Sequence, residues 1–347
     1  MRLGSIVLAA LVAGACSDAL EQDTTTGLVI AVVNTGSNSL SFVSATAFTS
    51  GLGADLTPPT GTPATLDARG ALLLVPMGTV NALRVYSFGT LIGPEIIALP
   101  TNSGATGVAI ENDSLAWVAN PNLNSVTVVN YLTGDTGTRA AGTYPQAVAV
   151  TDPYVFVVNG NLTGGQPAGP SSLRWFTRSG PSPIYAFGTT PLSCTNARFA
   201  AVGSDGLLYV VCAGSVGAAD GKLAIVDPVA LREVAVLNGL GESPGPAVYH
   251  PSGRLLIASA TEGILEVNTL TRTVTRGPGD GINPSGDGIA GLAVDPRGRV
   301  YAVAPGACTS PGRVHVLSAP PDYRPLATPT VGVCPAAATL AAVPLIN

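Results

Sequence analysis

Short apolar runs recur along the whole chain, separated by turns rich in Gly, Pro, Asp and Ser. One pattern repeats: an apolar strand, a polar turn, and a second apolar strand that ends in a small or polar residue. Clear copies are GLAVDPRGRVYAVA (residues 291–304) and AVYHPSGRLLIAS (247–259). Glycine near the turn supplies the positive φ that a hairpin needs. A third alternating run, such as KLAIVDP (222–228), and a more variable fourth run, such as REVAVL (232–237), follow. Four strands per unit are typical of a β-propeller blade.

The spacing of the second strands predicts the number of blades. These strands end at Asn34, Pro76, Asn120, Asn159, Cys212, Ser259 and Ala304, at intervals of 39 to 53 residues. Propeller repeats have periods of about 40 to 50 residues. The longest interval contains a Gly- and Pro-rich insertion, residues 160–171.

The first unit begins directly at its second strand, LVIAVVN (28–34), so its first strand is missing at the N-terminal end. The segment AAATLAAV (336–343) supplies a matching strand, and its pairing would close the ring without leaving a free sheet edge. We therefore predict an all-β fold, a seven-bladed β-propeller of four-stranded antiparallel blades over residues 27–347, in which the C-terminal strand completes the first blade. A β-sandwich array, or six or eight blades, are the alternatives.

The N-terminal residues have the layout of an export signal. Met1 and Arg2 are followed by an apolar stretch too short to span a bilayer, and Ala13, Gly14 and Ala15 precede Cys16. This segment resembles a bacterial lipobox, with Ala13 where the pattern prefers Leu. The resemblance implies a signal peptide over 1–15, lipidation of Cys16 and, since Ser17 follows it, an outer-membrane location. Polar residues continue to position 26, which indicates a flexible tether over 16–26. An ordinary cleaved signal is the alternative.

Two stretches of the repeat resemble known propeller families. IAVVNTGSNSLSFVSA and YPQAVAVTDPYVFVVNGN resemble the YVTN repeats of bacterial surface propellers, and GDGIAGLAVDPRGRVYAVA is similar to NHL and SMP-30-type propellers. The resemblance implies the architecture and not an activity, because propellers with one fold perform many functions.

The composition excludes some classes of binding partner. Only 11 % of the residues are charged, the net charge is −5, and Lys222 is the sole lysine, so no basic patch suggests nucleic acid. Beyond the N-terminus, no uncharged apolar run reaches the roughly 18 residues of a membrane span. We expect contact with a membrane through the lipid anchor only, and a monomer.

Four cysteines remain once Cys16 is assigned to lipidation, and an exported chain can hold disulfides. In a propeller, the loop before a first strand and the loop after a second strand lie on one face. Cys194 precedes a first strand and Cys212 ends the next second strand, while Cys308 and Cys334 lie in loops of neighbouring blades on that same face. We predict the pairs Cys194–Cys212 and Cys308–Cys334. A zinc site is the alternative, although the sequence has no Cys-x-x-Cys motif.

Catalytic candidates are few. His250 is placed in a turn on the opposite face and His315 within a third strand, so a Ser-His-Asp site is not expected. Trp117 and Trp175 lie within strands and are expected to pack between blades.

Polar loop residues are the remaining candidates for a ligand or metal face. Five acids are assigned to loops of one face: Asp220, Glu242, Glu262, Asp280 and Asp287. Their oxygens suit Ca²⁺ or another divalent ion, although solvated loop acids are the alternative and no cofactor is required. Three asparagines share the end of a second strand, either facing a central ligand or capping turns: Asn34, Asn120 and Asn159.

These observations favour a non-enzymatic scaffold, anchored in the bacterial envelope, that binds a protein, peptide or glycan. Its loop-rich face is expected to present the long segments 159–172, 188–196 and 277–289, since function concentrates on long loops. A metal-dependent, SMP-30-like lactonase or hydrolase with its site in the central funnel, and a structural envelope protein, are the alternative hypotheses.

Overall fold

The computed structural model describes residues 26–91, 93–178 and 186–344. The predicted signal peptide, Cys16 and all but the last residue of the predicted tether lie outside the described residues. The described part is all-β, with seven four-stranded antiparallel blades arranged as a propeller. It contains no α-helix, and its one short 3₁₀ helix is Pro121–Leu123.

The strands of the first four blades follow the predicted repeat. Blade 1 contains β1 (Thr26–Asn34), β2 (Ser39–Ser44) and β3 (Ser50–Asp55), and blade 2 contains β4 (Asp67–Arg69), β5 (Leu72–Pro76), β6 (Ala82–Ser87) and β7 (Ile96–Ala98). Blade 3 contains β8 (Val108–Ile110), β9 (Leu115–Asn120), β10 (Ser125–Asn130) and β11 (Thr136–Ala140). Blade 4 contains β12 (Pro145–Val150), β13 (Tyr154–Asn159), β16 (Ser172–Thr177) and β17 (Phe187–Pro191), and its insertion forms a separate hairpin of β14 (Leu162–Thr163) and β15 (Gln166–Pro167).

The last three blades complete the ring. Blade 5 contains β18 (Ala197–Val202), β19 (Leu208–Cys212), β20 (Lys222–Asp227) and β21 (Arg232–Asn238). Blade 6 contains β22 (Ala247–His250), β23 (Arg254–Ser259), β24 (Gly263–Asn268) and β25 (Thr273–Arg276). Blade 7 contains β26 (Gly291–Val294), β27 (Val300–Ala304), β28 (Pro311–Leu317) and β29 (Pro325–Ala327), and a fifth strand, β30 (Thr330–Val333), also pairs with β28. This fifth strand has no counterpart in the repeat read from the sequence.

The ring closes as predicted. Strand β31 (Pro335–Pro344) pairs antiparallel with β1, with Val29 opposite Ala341, and becomes the innermost strand of blade 1. Arg299 in blade 7 also donates a hydrogen bond to the carbonyl oxygen of Ala45 in blade 1. The seam between the first and last blades is therefore held by a complete strand as well as by side chains.

The core lies between neighbouring blades. The middle strands of each blade are covered on both sides, so they are apolar at consecutive positions, as in LYVVC (Leu208–Cys212), where every residue is buried. Trp117 is fully buried and its ring lies 5.2 Å from that of Phe176 in the next blade. Trp175 contacts the ring of Tyr154 at 5.2 Å within its own blade. Trp175 also packs against a buried cluster that includes Leu208 and Val210 of blade 5, so both tryptophans lie between blades, as expected.

Two faces of the ring differ in their connections. The turns between first and second strands and between third and fourth strands lie on one face, where the chain also enters at Thr26 and ends its last strand at Pro344; we call this the terminal face. The connections between second and third strands, and those between successive blades, lie on the opposite, loop-rich face. Of the three long segments expected there, residues 188–196 are shortened, because 188–191 continue strand β17 and pair with β16.

Candidate functional site

The loop-rich face contains a cleft between blades 6 and 7. It has a volume of about 340 Å³ and is bordered by Ala260, by residues 286–290 of the loop between the blades, and by Pro305 and Gly306. The loop approaches blade 6 closely, since a Cβ added at Gly288 would overlap the carbonyl oxygen of Ala260. Close backbone packing therefore fixes the cleft, and only glycine fits at this position.

Ser285, Asp287 and His315 come together beside this cleft. The Ser285 hydroxyl donates a hydrogen bond to Asp287 Oδ2 at 2.8 Å, and its Oγ lies 3.0 Å from His315 Nε2. Ser285 is exposed, whereas His315 is buried within β28. His315 lies within a third strand, as predicted, and its contact with Ser285, which the sequence did not reveal, arises because the loop of residues 277–290 folds back over that strand of blade 7.

The surroundings of His315 favour its neutral form. Burial lowers the pKa of His315 below its ordinary value of 6.5, Arg313 lowers it further, and the carboxylate of Asp287 opposes both effects. Because the Ser285 hydroxyl donates to Asp287 Oδ2, the contact with His315 Nε2 depends on the tautomer of the imidazole: Nε2–H can donate to the serine oxygen, or an unprotonated Nε2 can compete with Asp287 for the serine hydrogen. A histidine-carboxylate pair in a hydrolase normally places the acid on the histidine, whereas here it lies on the serine.

The second histidine has a structural role. His250 ends strand β22 and is buried, with Nδ1 2.7 Å from Ser252 Oγ and Nε2 2.8 Å from the carbonyl oxygen of Gly298. The bond from His250 to Gly298 joins the terminal-face turns of blades 6 and 7. His250 and Ser252 thus form a second serine–histidine contact, which lies away from the cleft.

The five candidate acids have separate local contacts. Asp220 accepts hydrogen bonds from the backbone and hydroxyl of Ser215, Glu262 accepts one from the Gly279 backbone at 2.8 Å, and Asp280 pairs with Arg276 at 3.4 Å. Glu242 lies in the connection between blades 5 and 6. Within the described ranges, no group of three or more His, Cys, Asp or Glu is placed to hold a metal ion.

The three candidate asparagines are buried rather than directed at a funnel. The Asn34 side-chain amide donates to the carbonyl oxygen of Ser39 at 3.2 Å and to Ser41 Oγ at 3.0 Å. Asn120 donates to the Thr127 hydroxyl at 2.8 Å, and Asn159 donates weakly to the Val157 carbonyl at 3.4 Å. Asn34 and Asn120 thereby join the second strand of their blade to the third, whereas the Asn159 bond lies within its own strand.

The innermost strands carry two charged groups of note. Burial raises the pKa of Asp67 on β4, an effect that the backbone N–H groups of Ile110 and Ala68 oppose through hydrogen bonds at 2.8 and 2.9 Å. Burial likewise lowers the pKa of Arg198 on β18. Asp67 is thus held by backbone donors of its own and the next blade, which suits a structural contact.

Both disulfides form on the loop-rich face. Cys194 bonds to Cys212 and Cys308 bonds to Cys334, across sequence separations of 18 and 26 residues. The first joins a connection between blades 4 and 5 to the end of β19. The second links the loop after β27 to the residue that precedes β31, so it holds the strand that closes the ring.

Comparisons with known proteins support the architecture. A functionally unknown protein from Desulfotomaculum acetoxidans superposes with a TM-score of 0.65 at 13 % identity, covering 90 % of this chain and 98 % of that one. Hydrazine synthase from Kuenenia stuttgartiensis gives 0.63 at 12 % identity, with 80 % and 89 % coverage. Virginiamycin B lyase from Staphylococcus aureus gives 0.62 at 11 % identity, with 82 % and 92 % coverage.

These similarities define a seven-bladed β-propeller and, at such low identities, only the fold. No protein family and no curated protein matches the sequence. In the part of the chain that the structure describes, no helix has the length and apolar character needed to cross a membrane.

Proposed function

We propose that this chain is an exported lipoprotein of the bacterial envelope, a YVTN-type propeller that binds a protein, peptide or glycan through its loop-rich face. The observation that carries the proposal is that the predicted tether and the long loops lie on opposite faces of the ring. Thr26, the last residue of the predicted tether, begins β1 on the terminal face, whereas the insertion hairpin and the cleft lie on the opposite face. An anchor at Cys16 would therefore leave the loop-rich face free to meet a partner.

The insertion in blade 4 strengthens this assignment. It forms a short hairpin whose tip, Gly164 and Gly165, has open space around it. Val216 in blade 5 adds an aliphatic side chain that is 66 % exposed on the same face. Exposed apolar side chains and projecting loops on one face are the features through which loops recognise partners.

Site-specific photo-crosslinking in the producing cell tests the proposal. A photoreactive residue at Gly164 or Val216 should give discrete adducts, and one at Pro251, which is exposed on the terminal face, should not give the same adducts. Gly288→Ala should weaken those adducts because it displaces the wall of the cleft. Equal adducts from both faces, or none from the loop-rich face, would contradict the proposal.

A second candidate function, ester or thioester hydrolysis, is favoured by the Ser285–His315 contact. A nucleophile and a base within about 3 Å of each other are the first requirement of covalent acyl transfer. In that reaction Ser285 Oγ would bond to the acyl carbon while His315 Nε2 takes its proton and returns it to the leaving group. Water would then release the acid and restore the serine.

A fluorophosphonate probe separates this candidate from binding alone. The reaction predicts labelling that Ser285→Ala and His315→Gln abolish and that Ser252→Ala leaves unchanged. Ser252 is a matched control because it contacts His250 at 2.7 Å on the terminal face, away from the cleft. Absence of labelling at Ser285 in the folded protein would exclude the hydrolase.

A further inference from the structure

Three turns on the terminal face end in exposed aliphatic side chains. Leu270 is 91 % exposed, Val229 is 69 % exposed and Leu132 is 37 % exposed. Each lies in the turn between the third and fourth strands of its blade. Single apolar residues on a surface are ordinary, so the argument depends on their shared position rather than on exposure alone.

The three positions are equivalent in the repeat. Each aliphatic residue stands two positions after an Asn or Asp that ends the third strand: Asn130, Asp227 and Asn268. The side-chain oxygen of this residue accepts hydrogen bonds from the turn at about 3 Å, from Leu132 N, from Val229 N and Ala230 N, and from Thr271 N. These side-chain hydrogen bonds fix the turn backbone, so little conformational entropy is lost when the aliphatic side chain is buried against a partner surface.

The tips belong to blades that do not adjoin blade 1. They belong to blades 3, 5 and 6, whereas the chain enters at blade 1. In blades 1 and 2 the equivalent positions are Thr46 and Gly89, which follow Ser44 and Ser87 in the same way. The aliphatic tips are therefore located across the ring from the point where the predicted tether joins it.

We propose that these tips dock the terminal face onto a lipid bilayer. The inference rests on the proposed lipid anchor, which brings the protein to the membrane. Residues 17–26 span at most about 35 Å when fully extended, so the anchor would keep the terminal face near the bilayer. Exposed Arg232 and Arg272 lie within three residues of Val229 and Leu270 and can contact headgroup phosphates. Asp135 and Asp227 lie equally close to Leu132 and Val229, so the apolar tips rather than the net charge carry the docking. Anchor and tips at opposite sides of the ring would hold the face flat and present the loop-rich face outward.

Vesicle binding by the chain with Cys16→Ser tests this docking, because that chain cannot be acylated. Its partitioning onto anionic vesicles is compared with that of Val229→Asp/Leu270→Asp in the same background. Because the double variant removes two aliphatic tips that docking would bury, we expect partitioning onto the vesicles to fall by about tenfold or more. Val216→Asp is the matched control, since it removes a 66 % exposed aliphatic residue from the opposite face.

The outcomes are separable from those of the proposed function. Vesicle binding that falls with the tip variant and not with Val216→Asp supports docking, provided both variants keep the native near-UV circular dichroism. No vesicle binding, or an equal loss in both variants, overturns it. Lipidation itself is read separately by incorporation of a labelled fatty acid into the chain with Cys16 intact, so an absent anchor and absent tip binding give different results.

Discussion

The bond between Cys308 and Cys334 allows the strength of the ring closure to be tested directly. The double variant Cys308→Ser/Cys334→Ser opens a loop with a sequence separation of 26 residues. In the chain-entropy description, a crosslink across about 26 residues stabilises the folded state by about 3.5 kcal/mol. The pair Cys194→Ser/Cys212→Ser, which opens 18 residues, should cost a comparable amount, about 3.2 kcal/mol.

The two variants should differ in which strands show faster amide hydrogen exchange. Cys334 directly precedes β31, so its loss should speed amide exchange in β31 and β1, whereas loss of Cys194–Cys212 should affect blades 4 and 5. Urea unfolding gives the free energies, and hydrogen–deuterium exchange locates the change. A chain of about 320 folded residues would lose about 5 °C in melting temperature for 3.5 kcal/mol. Equal exchange in β31 for both variants would refute a special role for Cys308–Cys334 in closure.

Three further substitutions probe buried contacts. Burial would raise the pKa of Glu266, but hydrogen bonds and Arg254 outweigh burial and leave that pKa below its ordinary value of 4.5. The variant Glu266→Gln should therefore lower the free energy of unfolding by about 2–3 kcal/mol at neutral pH. The difference from the native protein should shrink as pH falls below about 4.5. The lowered pKa of His315 makes its contribution complete above about pH 6.5 and lost on acidification, so His315→Gln should flatten the decline of urea stability between pH 7 and 5; an unchanged slope would count against it. Gly288→Ala should cost about 1–3 kcal/mol in urea unfolding, because its Cβ overlaps the Ala260 carbonyl, and an unchanged midpoint would contradict that overlap.

The repeat was predictable because two physical signals coincide in it. The middle strands are buried on both sides, which demands apolar residues, and the turns between them need glycine or small polar residues. All seven second strands end at the residues read from the sequence, from Asn34 to Ala304. Closure by the C-terminal segment followed from counting strands, since blade 1 would otherwise have lacked one.

The candidate site was less accessible to the same reasoning. Ser285 and His315 are 30 residues apart, and their contact depends on how an irregular loop packs over a strand of the next blade. No alternation or turn motif encodes that packing. Strand β30 was missed for a similar reason, because TVGV is short and its pairing with β28 arises from the path of the chain after β29.

The closing strand also determines which blade is completed last during synthesis of the chain. Residues 26–34 of β1 are made some three hundred residues before Pro335–Pro344 of β31. At about 5–20 residues per second, β1 waits roughly 15–60 seconds with its inner edge unpaired, while blades 2 to 7 can each form from consecutive sequence. An open, apolar strand edge invites association with other chains. Blade 1 is thus where a nascent chain is most exposed to mispairing, and where a chaperone would have most to protect.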